Sequence, residues 1–165
     1  MQAVQVADPN VIQISDVPVP QDGDETLVRI HQVGICGTDT KILQGKIPVD
    51  YPRIMGHEMI GEIAASPPDG PYRVGTRVLI DPGVSCGECH LCRAGRSNLC
   101  IAGGLLGRDV DGVFTEFITA PTDRLVEVPE HITDKEAGLL QVLGTCVHAV
   151  KRVNPSSGQV AAVNG

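Results

Sequence analysis

Four of the six cysteines in the chain fall within one stretch, GVSCGECHLCRAGRSNLC, from Gly83 to Cys100. Cys86, Cys89 and Cys92 are separated by two residues each, and Cys100 follows after seven more. Disulfide bonding and metal ligation both crowd cysteines in this way, and compartment and spacing decide between them. The opening MQAVQVADPN has neither the basic nor the apolar region of a secretory leader. The expectation is therefore a reducing cytoplasm, where thiols stay thiols. Successive CxxC steps wrap a turn so that the thiolates face one ion, and a fourth thiolate closes a tetrahedral shell of the structural zinc type. Gly87 and Gly95 supply the turn freedom this wrapping needs. The alternative, free or disulfide-bonded cysteines, fits less well, because thiols at this pitch are too constrained to pair with each other.

A second group lies upstream in GICGTDTK (34–41) and GHEMIGEI (56–63). Cys36 offers a thiolate, His57 an imidazole and Glu58 a carboxylate, each on a turn at the end of an expected strand. A mixed set of three leaves one coordination position open, as catalytic zinc requires. An open position polarises an alcohol oxygen and lowers its pKa. Thr38 is placed to take the hydroxyl proton, and Asp39 to hold the far nitrogen of His57. On spacing alone a plainer reading stands beside this one, with Cys36 a small buried apolar residue and His57–Glu58 a solvated loop pair.

The elements that must carry these residues are short. Of the 165 residues, 42% are hydrophobic, with only two Phe, two Tyr and no Trp, so the core is built from Val, Ile, Leu and Ala. Nineteen Gly and twelve Pro punctuate the chain, the texture of many strands joined by turns. Alternation predicts strands at 26–35, 59–66, 76–81, 112–120 and 124–129, a barrel of short strands. At Thr133 the pattern changes. Thr133 and Glu136 form a capping box, apolar residues then recur at helical spacing, and Gly144 divides the run. Asn154, Pro155 and Gly158 end it, and 159–163 reads as a buried strand running into glycine, the way a dinucleotide-binding unit begins. A net charge of −7 gives nucleic-acid binding no electrostatic footing. No apolar run reaches the length of a membrane span.

The motifs GICGTDTK, GHEMIGEI, CGECHLCRAGRSNLC and GVFTEF, in this order, resemble the zinc-dependent medium-chain alcohol dehydrogenases, a family that includes polyol, threonine and sugar dehydrogenases. The resemblance runs from about Val4 to Gly165. It implies a mainly β fold with helices: a GroES-like (chaperonin-10-like) β-barrel catalytic domain over 1–153, then the first strand of a Rossmann domain at 154–165, most of which is missing. It places Cys36, His57 and Glu58 on the catalytic zinc and Cys86, Cys89, Cys92 and Cys100 on a structural zinc, two zinc ions per chain. Thr38 falls on the hydroxyl relay and Asp39 on the position behind His57. Gln141 stands where relatives place a further zinc ligand, with Cys146 as its rival or else a buried helical thiol. Lys41 takes the place of a proton-passing histidine, or is a solvated lysine. Glu116 meets a substrate hydroxyl, or is a strand-edge carboxylate in water. The implied activity is hydride transfer from a small alcohol, polyol or sugar to NAD or NADP in the intact enzyme, with this chain alone inactive. The resemblance leaves the oligomeric state open, since intact members are commonly dimers or tetramers, so a homo-oligomer is compatible with it. The competing reading is a non-enzymatic, zinc-stapled interaction module.

Overall fold

The computed structural model describes residues 1–21 and 23–164. Two antiparallel sheets carry eight of the ten strands among the described residues. The first has the order β2-β1-β4, from β1 (Gln2–Asp8), β2 (Val11–Asp16) and β4 (Arg53–Ile54). The second has the order β10-β6-β5-β3-β9, from β3 (Thr26–Gly34), β5 (Glu58–Ala65), β6 (Arg77–Ile80), β9 (Phe117–Ala120) and β10 (Leu125–Glu127). A two-stranded ribbon, β7 (Gly83–Val84) with β8 (Gly104–Leu105), closes the base of the cysteine lobe.

The two-residue period of β3 puts Thr26 and Val28 inward and Arg29 outward. The pairing with β5 slips between Ile30 and Gln32, a bulge that leaves His31 unpaired and turned outward. Beyond it Gly34 lies opposite Glu58. The strand β5 is buried on both faces. Met59 and Ile63 join Val28, Val78, Val113 and Leu125 on one side, while Ile60 meets Leu79, Val128 and Ala137 on the other. Each Val, Leu, Ile or Met side chain among them contributes about 1.5–3 kcal/mol when fully buried.

The sheets are stitched together by a strap, residues 112–116. Gly112 N donates to Ile54 O (2.8 Å), Phe114 N to Met55 O (2.9 Å) and Val113 N to Gly56 O (3.0 Å). The strap's own carbonyls accept from Val4 N at Phe114 O (2.8 Å) and from Ile30 N at Glu116 O (2.9 Å). The Phe114 ring packs against both the main core and the smaller cluster of Val6, Ile42 and Met55.

The structure departs from the sequence pattern in several places. The strand expected over 112–120 is strap first and β9 only from Phe117, because the strap shares its bonds among three partners rather than one ladder. The hairpin β1–β2 lies outside the strands the alternation predicts; Pro9 and Asn10, with Asn10 at φ 62°, are its turn signal. Residues 37–43 form a helix, α1 (Gly37–Leu43), rather than a simple turn. The last helix divides at Gly138–Leu139, between α3 (Asp134–Ala137) and α4 (Leu140–Val153), and not at Gly144, which lies inside α4. No residue of α4 is buried; Val142, Leu143, Val147 and Val150 are exposed along it. Asn154 in the left-handed region ends it. Residues 159–163 form no strand, since no described residue offers them a ladder, and Val160 and Val163 are fully solvated. Gly165, the glycine of the expected turn, lies outside the described residues. No helix among the described residues is long and apolar enough to cross a membrane.

Candidate metal centres

Cys36, His57 and Glu58 each offer a ligand atom, and these three atoms all lie within 4.8 Å of one another. Cys36 leaves the end of β3 and caps the N-terminus of α1, while His57 and Glu58 enter β5 beside it. The two segments are held in register by Asp39, a residue that is 2% exposed. Asp39 Oδ2 accepts from Cys36 N (2.8 Å) and Oδ1 from Gly56 N (3.2 Å), with His57 Nδ1 3.8 Å from that same Oδ1. One carboxylate thus fixes the main chain at both ligand segments. It also faces the Nδ1 side of the imidazole, which leaves Nε2 for the cluster. At Gly56 the backbone is left-handed, φ 93°, and the Phe114 ring lies where a Cβ would project, so only glycine fits.

The donor set fits a zinc ion. Thiolate, imidazole and carboxylate are all zinc ligands, three of them leave a fourth corner open, and a carboxylate behind the histidine is the usual support for such a ligand. Thr38 sits half-buried in the first turn of α1, with no hydrogen bond to Cys36, His57 or Glu58. Lys41 is exposed in the last turn of α1, as a solvated lysine is. A groove of about 660 Å³ runs past Asp39, Thr40, Ile35 and Phe114, but Cys36, His57 and Glu58 do not line it.

The remaining candidates lie elsewhere. Glu116 is exposed, and its Oε2 accepts from Gln2 N (2.7 Å), so this carboxylate ties down the start of β1. Gln141 is half-buried in the first turn of α4, and no hydrogen bond joins it to the Cys36 group. Cys146 is exposed on α4, not a buried thiol, because that helix packs no side chain fully against the described core.

In the second group the sulfurs of Cys86, Cys89, Cys92 and Cys100 also lie within 4.8 Å of one another. All four thiols are free. Cys86 and Cys100 sulfurs are 3.4 Å apart, and Cys89 and Cys100 sulfurs 4.0 Å, against about 2.05 Å for a disulfide. A tetrahedron with Zn–S bonds of about 2.3 Å has edges of about 3.8 Å, which those separations bracket. Backbone N–H groups point at the sulfurs: Cys86 N at Cys100 Sγ (3.4 Å), Cys89 N at Cys86 Sγ (3.4 Å) and Cys92 N at Cys89 Sγ (3.5 Å). Such donors favour thiolate over thiol. The amides of Cys92 and then Ile101 hold the Cys89 thiol down to about 6, and the Cys86 amide lowers Cys100. Cys92 is pushed up to about 12, first by burial and then by its bonds to Cys89 and Cys100. Four thiolates this close repel one another, so a divalent cation is what lets all of them ionise. The short helix α2 (His90–Arg93) and a 3-10 turn at Ser97–Leu99 shape the lobe. Arg124 anchors it to the barrel through Asp81 (3.2 Å) and Ser85.

Sequence reasoning missed two contributors, Gly56 with its Phe114 contact and the strap. The glycine in GHE was visible, but the ring over it comes from a residue far along the chain.

Known proteins share this architecture. A sorbitol dehydrogenase of Bacillus subtilis is 37% identical over the whole chain, which covers 49% of that protein. A zinc-type alcohol dehydrogenase-like protein of Haemophilus influenzae is 35% identical, again over the whole chain and 49% of its own length. The crystal structure of a zinc-binding dehydrogenase from Sinorhizobium meliloti bound to NADP superposes with TM-score 0.83 at 33% identity, covering 92% of this chain and 45% of that one. The chain spans about half the length of these relatives. The family model described as the alcohol dehydrogenase GroES-like domain matches residues 22–130, and with that match over most of the barrel and both cysteine-bearing groups in place, the chain belongs to the GroES-like domain family of the alcohol dehydrogenases.

Proposed function

We propose that this chain is the catalytic half of a zinc-dependent dehydrogenase that oxidises a small alcohol, polyol or sugar with NAD or NADP. Cys36, His57 and Glu58 hold the catalytic zinc, and Cys86, Cys89, Cys92 and Cys100 a structural one, two ions per chain. Residues 1–153 form the zinc-binding domain and 154–165 lead into the nucleotide-binding one, in a cytoplasmic enzyme. The observation that supports this reading best is the convergence of a thiol, an imidazole and a carboxylate within 4.8 Å, brought together from two separate segments. When bound, zinc supplies Lewis acidity toward a hydroxyl oxygen, and the nicotinamide ring a place for the hydride.

The chain's own residues do the rest. Cys36, His57 and Glu58 fix where the substrate hydroxyl sits, with Asp39 keeping both ligand segments rigid. Thr38, half-buried two residues after Cys36 in α1, takes the hydroxyl proton while its own proton goes to solvent water. Gln141 is a weaker candidate for contact with substrate or metal, since it belongs to a helix packed only lightly on the barrel.

Metal content tests this directly. Two zinc ions per chain, one removed by chelator far faster than the other, support the reading, and a single tightly held zinc supports the stapled module instead. Activity is tested by joining the chain to the nucleotide-binding half of the Bacillus subtilis relative and following NAD and NADP reduction with alcohols, polyols and aldoses.

A further inference from the structure

Glu58 brings a carboxylate oxygen within 4.8 Å of the Cys36 and His57 ligand atoms, and the residue opposite it in the β3–β5 ladder is Gly34. A Cβ built on Gly34 would fall inside the contact distance of Glu58 Oε2 and stand 3.1 Å from Glu58 Cβ and 3.4 Å from Cδ. All three near atoms belong to Glu58, and no other residue comes within 4 Å among the three nearest contacts. The backbone at Gly34 is outside the left-handed region, so an L residue is sterically acceptable to the main chain there. The glycine is therefore not required by local conformation. What it leaves free is the volume through which the Glu58 carboxylate reaches the cluster.

We propose that Gly34 is a positioning residue for Glu58, whose missing side chain keeps that carboxylate in the ligand set. This rests on the reading of Cys36, His57 and Glu58 as a zinc site. A methyl at 34 meets its closest contact at Oε2, the far end of a flexible side chain that swings aside, while the 3.1 Å approach to Glu58 Cβ is relieved by a shift of a few tenths of an ångström in the ladder, so the barrel stays folded. The cost then appears in metal binding rather than in folding.

The test uses cobalt in place of zinc, read by its sulfur-to-cobalt and d–d absorption bands and by chelator competition. It compares the wild-type chain with Gly34→Ala, Glu58→Ala and the double variant. Gly34→Ala is expected to weaken the exchangeable site about 10–100-fold, the usual cost of disturbing a ligand's support. The bands of that site should shift toward those of Glu58→Ala, and the four-cysteine bands should stay unchanged. In the Glu58→Ala background Gly34→Ala should have no further effect on metal binding, because the carboxylate it displaces is gone. Wild-type-like bands and affinity in Gly34→Ala overturn the proposal, and so does an additive double variant. If Gly34→Ala does not fold, Gly34→Ala/Glu58→Ala must fold for the proposal to stand, and failure of both overturns it. A wild-type chain that takes up only one cobalt overturns the zinc reading itself, and the role of Gly34 falls with it.

Discussion

Asp39 Oδ1 stands 3.8 Å from His57 Nδ1 while the same carboxylate receives the backbone N–H groups of Cys36 and Gly56. The contact with the ring is electrostatic, since 3.8 Å is too long for a hydrogen bond, and the firm bonds are to main chain. Asp39 therefore acts less on the imidazole than on the two peptides that carry the ligands.

Replacing it separates these roles. Asp39→Ala orphans two amide donors, at about 1–3 kcal/mol for each that is well buried, and loosens both ligand segments. Asp39→Asn keeps one acceptor and loses the charge. The expected order of cobalt affinity at the exchangeable site is wild type, then Asn, then Ala, spanning about 10–100-fold. Chelator competition reads it. Equal affinity in all three would show that the segments hold their geometry without this carboxylate.

With two zinc ions per chain, as proposed, Cys100→Ser is expected to remove one and leave the other. Cys100 Sγ lies 3.4 Å from Cys86 Sγ and 4.0 Å from Cys89 Sγ, so its loss opens the shell on two sides. Limited proteolysis should then cut within residues 86–100 while the barrel stays intact, and fragment mass with metal content reports the result. Loss of both metals would mean that the lobe and the Cys36 group are not independent.

Acid should loosen α3 through Glu136. Its carboxyl is held below the ordinary 4.5, chiefly by the Thr133 hydroxyl and then by the Thr133 amide. A carboxylate lowered on folding stabilises the fold fully above its unfolded value, and this is lost as pH falls through the lower folded one. Glu136→Gln should flatten the stability profile below pH about 4.5, followed by circular dichroism during acid titration. An unchanged profile would place the acid sensitivity in other carboxylates.

Gly144 has open space around it inside α4. Gly144→Ala should stabilise the chain by up to about 1 kcal/mol through helix propensity, insofar as α4 unfolds together with the barrel. Gly56→Ala should do the reverse, because a left-handed backbone and the Phe114 ring both reject a side chain there. Thermal melts of the pair check both signs.

The parts of this molecule that sequence makes legible are those whose cause is local. The capping box at Thr133 depends on residues three apart, and the CxxC steps bring their own sulfurs round one turn. The strand β5 reads from its apolar run alone. The strap does not, because Val4, Ile30 and Ile54 reach it from three distant places and none leaves a periodic trace in 112–116. The break at Gly138 rather than Gly144 is likewise tertiary: Ala137 is buried against Ile60 and Leu79, and that packing fixes where α3 stops. As for the site, GHE and GICGTD mark the three donors, but not that the first glycine of GICGTD lies across the ladder from Glu58, since cross-strand register is set by the bulge at His31.

The strap also settles where the polypeptide tolerates being opened. A circularly permuted gene with new termini near Asp69, an exposed position in the turn between β5 and β6, leaves every stitch between the sheets intact. One opened between Gly112 and Glu116 cuts the seam itself, and the two halves of the barrel part company.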